Sequence, residues 1–374
     1  MTAPLPVPDP LFQGGGEMGA MMREFDWSKT PLGPSAAWPP ELRTTVRLLL
    51  AARQPMFIGW SRDLICFYND AYRPVLGTDK HPGALGAPLA EVFAGDAYPL
   101  LKPIFDALFD QGEAVAFEGA PVPLSRFGYL EEAFFDFGYT PIFTEDGAVG
   151  GMFVACTEST PGVLAHRRTL ALAELAGRLI GAQEASQIAG ITLTLLAQNP
   201  QDVPFALLYL PSETGTLTLN AHIGLPEDGL DWPWPIQEAF ESQEAQYRQE
   251  FGPIEAGPWP EAVVEVAALP LVHLDGHSPA LGVLVVGTSA RKRLDEPYRH
   301  FFGLLAQQLS AALARAEAAQ QVEAQHLELV ARARALEAFA ELTHDLTLSG
   351  DPYALIRRAQ EIVTSLLPKG FVLY

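Results

Sequence analysis

Residues 64–77 read LICFYNDAYRPVLG. An apolar run stops at Asn69-Asp70, passes through Tyr72 and ends on Gly77. Leu64, Ile65, Cys66 and Phe67 suit a pleated, half-buried surface, while Asn69 and Asp70 turn the backbone and cap a helix beginning near Ala71. The stretch is a strand handing over to a short helix. Many α/β and α+β domains contain that pattern, so its neighbours decide the fold.

Before it, PMFIGWS reads as another strand; after it come a Gly/Pro-rich passage and the amphipathic helix AYPLLKPIFDALFDQGE. Three β segments close the unit: AVAFEGAPV, LEEAFFDFGYTPIF and, after a TEDG turn, AVGGMFVACTE. Period-two alternation puts Phe135, Phe137 and Tyr139 on one face, and does the same for Met152, Val154 and Cys156. One sheet face is therefore aromatic and apolar and turned toward the helices. Upstream, FDWSKTPLGPSAAWPPELRTTVRLLLAAR is a proline-punctuated lead into a helix over 41–53. GGGEMGA has neither the Lys-Ser/Thr ending nor the preceding strand of a phosphate loop, so residues 1–24 read as a flexible segment.

The element order and three separated motifs, DWSKTPLGPSAAWP, FYNDAYRPVLG and GGMFVACTEST, resemble a PAS domain. The resemblance is closer still to the N-terminal PAS module of bacterial sensor histidine kinases and covers 25–160. In PAS domains the second strand leads through an Asn-Asp-Ala-Tyr type helix start to a Gly-ended turn, which Asn69-Asp70-Ala71-Tyr72 and Leu76-Gly77 match. The resemblance implies an α+β domain whose five-stranded antiparallel sheet has its first strand between the second and the last. PAS domains often end in Asp-Ile/Val-Thr; here Thr157-Glu158-Ser159-Thr160 stands there, with Glu158 in the acidic place. Trp60, Phe67, Tyr72, Phe135, Phe137 and Tyr139 are expected to line an apolar ligand pocket with a few polar tips. A plain aromatic core is the alternative.

Further on, HRRTLALAELAGRLIGAQEASQIAGITLTLLAQ is helical throughout, with Leu172, Leu175, Leu179 and Ala182 at three- and four-residue spacing. Its first part, 161–185, is a connecting helix. FALLYLPSETGTLTLNAHIGLP and VVEVAALPLVHLDGHSPALGVLVVGTS read as hairpins. Hairpins flanked by helices at both ends resemble a GAF domain over 169–320, whose start overlaps the connecting helix. The Asn-Lys-x-Phe-Asp motif of nucleotide-binding GAF domains is missing. Trp232 and Trp234, in DWPWP, stand where such domains cover their pocket and are its candidate ligand residues. A stiff surface loop is the alternative.

A long helix over 297–342 carries an apolar seam at Leu305, Leu309, Ala312, Ala316, Ala319, Val322, His326, Leu329, Ala333, Leu336 and Ala340. Its steps alternate four and three except for one repeated three, a stammer that overwinds a coiled coil. Leu305, Leu309, Ala312 and Ala316 are expected to face the partner in a homodimer. A helix packed on its own domain is the alternative. Residues 343–374 repeat the helix, break, helix and strand that open the GAF-like unit. They read as the start of a second, truncated unit, and the chain as part of a longer protein.

The chain has 374 residues, 48% hydrophobic and 18% charged, enough for separate cores. A net charge of -21 opposes nucleic-acid backbones and anionic membrane surfaces. No apolar run is long enough to span a bilayer, and MTAPLPVPDP lacks the parts of a signal peptide. A cytoplasmic chain is expected, with no nucleic-acid partner and no membrane insertion. Cys66 and Cys156 are too few for a disulfide framework or a thiolate metal cage. They are expected to be reduced core residues, two strands apart. Neither has the flavin-reactive setting, and neither lies ahead of the PAS-like core or in the GAF-like unit. Neither a covalent bilin nor a flavin-cysteinyl site is therefore expected, and no other cofactor is indicated.

His273 and His277 flank HLDGH without a third metal ligand. His344-Asp345 resembles a kinase phosphoacceptor box without its Pro-Leu ending, and no nucleotide-binding kinase domain fits after it. No catalytic and no metal residue is assigned. The resulting expectation is the sensory input module of a two-component signalling protein. It takes up a small molecule or partner and relays the change through a dimeric helix to an output kinase. A dimerisation scaffold without a ligand is the alternative.

Overall fold

The computed structural model describes residues 10–94, 98–230, 232–249, 252–273, 275, 277–348, 353, 356, 357 and 360. A 3-10 turn at Pro10–Phe12 leads into helix α1 (Gly16–Glu24). The flexible reading of 1–24 is corrected here for its described part: Leu11, Phe12, Met18 and Met22 are buried. The glycine-rich lead becomes a helix because an acid from far along the chain satisfies its first amides. Asp70 accepts from Glu17 N at 3.0 Å and from Met18 N at 2.8 Å.

Helix α2 (Pro40–Ala51) follows, with Pro at its first turn, where no amide is needed. Strands β1 (Met56–Trp60) and β2 (Ile65–Tyr68) form a hairpin. The strand-to-helix handover lies where 64–77 predicts it: Asp70–Tyr72 is a 3-10 turn running into α3 (Arg73–Lys80). Buried Asn69 ties this corner together. Its Oδ1 accepts from Tyr72 N and Met56 N, both at 3.1 Å, and its Nδ2 donates to Gln54 O at 2.7 Å. The stretch ends on glycine because Gly77 has φ 68° and a Cβ there would sit 2.1 Å from Arg126 O.

Helices α4 (Leu89–Val92) and α5 (Tyr98–Gln111) come next. Strand β3 (Val115–Pro121), the short pair β4 (Leu124–Ser125) and β5 (Leu130–Glu131), then β6 (Phe134–Phe143) and β7 (Val149–Glu158) complete the unit. The main sheet is antiparallel with order β2-β1-β7-β6-β3. Cys66 on β2 and Cys156 on β7 are therefore separated by β1, and both are buried free thiols.

Helix α6 (Thr160–Leu179) connects to α7 (Ala185–Leu196) and a second antiparallel sheet. Its elements are β8 (Ala206–Pro211), β9 (Leu217–Ile223), α8 (Ile236–Ser242), β10 (Gln246–Arg248), β11 (Val266–Leu271) and β12 (Gly282–Gly287). The order is β10-β11-β12-β8-β9. In both sheets the first strand lies between the second and the last. One face of the second sheet, with Leu208, Leu269 and Leu284, packs on α6, α7 and the closing helix α9 (Glu296–Leu348). The other face, with Phe205, Leu207 and Val283, is covered by Leu225, Trp234 and Ala239.

Leu305, Leu309, Ala312 and Ala316 are at most 4% exposed, inside this core. Their expected place at a partner's surface is corrected: the seam's first half packs on its own sheet. The helix then leaves the domain, and Val322, Leu327, Leu329, Leu336 and Phe339 are all more than half exposed, from 59% to 66%. The proposed second GAF-like unit, 343–374, lies outside the described residues apart from the end of α9 and four helical positions. No helix among the described residues is long and apolar enough to cross a membrane.

Candidate functional site

A cavity of about 70 Å³ lies between the first sheet and the helices α3, α4 and α5. Its sheet wall follows from register. Phe57 pairs with Val154, Val154 with Tyr139, and Cys156 with Phe137, so period-two alternation turns all five inward. Tyr72, Val75, Leu89 and Phe105 close the opposite side. Of the six sequence candidates, Tyr72, Phe135, Phe137 and Tyr139 line this cavity. Trp60 and Phe67 do not. Phe67 pairs with Ile58, one residue out of phase with Phe57, and so lies on the far face. There it stacks on Trp27 at 4.9 Å and meets Trp38 edge-on at 5.4 Å. Trp60 shares Ile58's parity and lies against Gly150 and Gly151.

Among the described residues no charged side chain lines the cavity. Burial, aided by the charge of Glu158, pushes the Cys156 thiol up to about 12. Burial likewise raises the phenols of Tyr72 and Tyr139 above their ordinary range. The polar tips are therefore neutral hydrogen-bonding groups rather than charges.

Next to the cavity, β6 and β7 run into a buried ion-pair joint. Arg126 donates from Nε to Glu131 at 2.7 Å, and from Nη1 and Nη2 to both oxygens of Glu158 at 2.9 and 2.6 Å. Burial works to raise the Glu158 carboxyl, but the bonds from Arg126 hold it below its ordinary value. Thr160, at the start of α6, accepts from Phe134 N at 2.8 Å and donates back to Phe134 O at 3.2 Å. Two positions on consecutive residues of α6 then reach the second domain. Arg167 donates to both oxygens of Glu132 and to Asp202, while Arg168 Nε donates to Asp202 at 2.8 Å. The Arg168 guanidinium lies 3.8 Å from the ring centre of Tyr298 on α9, whose hydroxyl donates to Asp202 O. Glu132 N donates to Arg291 O at 3.0 Å, and Arg293 donates to Phe127 O at 2.8 Å.

None of these arginines was singled out from sequence. For Arg167 and Arg168 the available signal was the run of consecutive basic residues His166-Arg167-Arg168 on the connecting helix.

In the second domain Trp234 is buried against Phe205 at 5.6 Å and stacks on Trp232 at 5.9 Å. Both tryptophans belong to the packed face of the sheet. His273 and His277 are not brought to one site: His273 Nε2 lies 3.3 Å from Glu317, and His277 N donates to Asp275. Among the described residues no group of three His, Cys, Asp or Glu could hold a metal ion. His344 is on α9, with its side chain outside the described residues.

No family model matches the chain, and no curated protein matches it. Among solved structures it is similar to the GAF domain of a phosphoenolpyruvate-protein phosphotransferase from Coxiella burnetii. That likeness has 18% identity and a TM-score of 0.33, covering 42% of this chain and 98% of that one. It is also similar to a domain of a putative two-component sensor histidine kinase protein from Sinorhizobium meliloti 1021, at 18% identity and TM-score 0.28, over 38% and 99% of the two chains. The photosensory core module of a Stigmatella aurantiaca phytochrome is similar over 83% of this chain and 65% of that one, at 13% identity and TM-score 0.33. The chain has a GAF-like α+β fold with antiparallel sheets and a long C-terminal helix. That class rests on the strand order and element sequence above rather than on likenesses this remote.

Proposed function

We propose that this chain is the sensory input part of a signalling protein. Its PAS-like first domain takes up a small molecule in the cavity, its GAF-like second domain receives the change, and α9 relays it to an output kinase. The observation that carries this reading is continuity. Of the strands that wall the cavity, β6 begins at Phe134, bonded to Thr160 at the root of α6, and β7 ends at Glu158, bonded to Arg126. From there Arg167 and Arg168, both bonded to Asp202, and Tyr298, whose ring lies against Arg168, lead to α9. A ligand that spreads the cavity wall therefore pushes on the joint, because packed elements transmit displacement rather than absorb it.

In this reading α9 pairs with its copy beyond the domain body. From Ala319 the seam runs Val322, His326, Leu329, Ala333 and Leu336 in regular three-four steps, with Val322, Leu329 and Leu336 exposed. The scaffold reading is favoured by the cavity's small volume, since a void of about 70 Å³ also occurs in an imperfectly packed core. Native mass spectrometry of freshly purified chain, with hydrogen exchange over 158–168 before and after the bound mass is removed, separates the two. A retained molecule whose removal alters exchange supports the sensor. A bare chain whose exchange no added compound alters supports the scaffold.

A further inference from the structure

Resting on the sensor reading, the cavity's lining also defines what it can hold. Tyr139 is 6% exposed and lines the cavity, as does Tyr72. No hydrogen bond from a described residue reaches either phenol oxygen, although buried hydroxyls are nearly always paired. Two neutral donors thus stand open in a space whose remaining described lining is the Tyr98 phenol, other rings, aliphatic side chains and sulfur. We infer that the cavity takes an uncharged, compact molecule with one carbonyl or hydroxyl oxygen on a short apolar body, that oxygen bonding the phenols of Tyr72 and Tyr139.

Charge is disfavoured because no cation or anion among the described residues lines the space, and an unpaired carboxylate or ammonium would lose its hydration without compensation. Size follows from volume. A cavity of about 150 Å³ accommodates benzene with its six carbons, so one of about 70 Å³ suits a body of roughly three or four non-hydrogen atoms. A ketone oxygen accepts from both phenols; an alcohol accepts from one and donates to the other. Both are one chemistry, a single neutral oxygen on an alkyl stub.

The test uses the full chain with 13C-methyl-labelled methionine, because Met152 lines the cavity and is 1% exposed. Acetone and acetate, each of four non-hydrogen atoms, the one neutral and the other an anion, are titrated in turn. The inference expects acetone to shift the Met152 methyl saturably and acetate to leave it unmoved. Tyr139→Phe, which removes only the oxygen, weakens acetone about fivefold, the loss of one hydrogen bond. Equal shifts from both probes, no shift from acetone, or undiminished binding in Tyr139→Phe overturns the inference. Hydrogen exchange over 158–168 is recorded in the same titration. Saturable binding without a change there leaves the ligand class standing and removes the sensor reading. A larger or charged compound that shifts Met152 and alters that exchange does the reverse.

Discussion

Glu132 and Asp202 belong to different domains and share one guanidinium. Arg167 donates to Glu132 at 2.9 and 3.0 Å and to Asp202 at 2.6 Å, from a helix that belongs to neither sheet. Carboxylates this deeply buried are costly unless paired, so the two domains are held in one arrangement by the expense of separating them.

Arg167→Ala leaves Glu132 buried without its cation and takes from Asp202 one of its two, Arg168 remaining. Because the Arg167 side chain keeps 23% exposure, the loss is discounted to about 2 to 3 kcal/mol from the range for a fully buried pair. Calorimetry should show the single unfolding transition of the parent splitting into two in the variant. An unsplit, unshifted transition would mean the domains are held by other contacts.

Acid should loosen the Arg126–Glu158 pair in a defined window. The Glu158 carboxyl is lowered in the folded chain from an ordinary 4.5. Its contribution is therefore complete above that value and is lost as pH falls through the lowered one. Hydrogen exchange over 158–168 should be flat between pH 8 and about pH 5, after correction for intrinsic rates, and rise only below the ordinary carboxyl range. Glu158→Gln should abolish that rise. A transition near neutrality would assign the change to a histidine instead.

The thiols should be silent toward alkylation. With Cys156 pushed up to about 12, only about one molecule in 10,000 is thiolate at pH 8, and Cys66 is raised well above its ordinary value by burial alone. Iodoacetamide followed by intact-mass measurement should add nothing to the native chain and two groups in urea. A single adduct on native protein would mean that the cavity opens to solvent.

Charge on α9 should act differently on either side of the point where it leaves the domain. Ala316→Glu places a carboxylate in the second domain's own core, where Ala316 is 4% exposed, and should cost about 3 kcal/mol or more of fold stability. Leu329→Glu, at a position 65% exposed, should leave the melting of the second domain unchanged and weaken self-association tenfold or more. Sedimentation equilibrium and thermal melts on both variants check this. A monomeric parent would remove the pairing of α9 altogether.

Much of the first domain was legible because short-range rules sufficed there. Alternation in 134–143 and 149–158 identifies the cavity wall, and Asn69-Asp70 marks the corner that holds Tyr72. Trp60 and Phe67 were misplaced because facing depends on pairing: the turn between β1 and β2 sets Phe57 opposite Tyr68, and one residue's phase exchanges the faces. The Leu305 to Ala316 seam has the right spacing for a partner, but spacing does not say whether that partner is another chain or the same one. Helix α1 was hidden because its cap, Asp70, is fifty-three residues from Glu17. The joint was hidden likewise, since Arg167 meets Glu132 and Asp202 across thirty-five residues in each direction.

Helix α9 runs for 53 residues, and its buried anchoring ends at Ala316. The remainder, to Leu348, extends about 48 Å at 1.5 Å per residue. It is a lever arm with its fulcrum where His273 meets Glu317. A tilt of about 5° at that fulcrum swings the far end sideways by about 4 Å, more than half a helical pitch. In the proposed relay, small motions at the domain body are thus magnified into a step that a neighbouring helix can register.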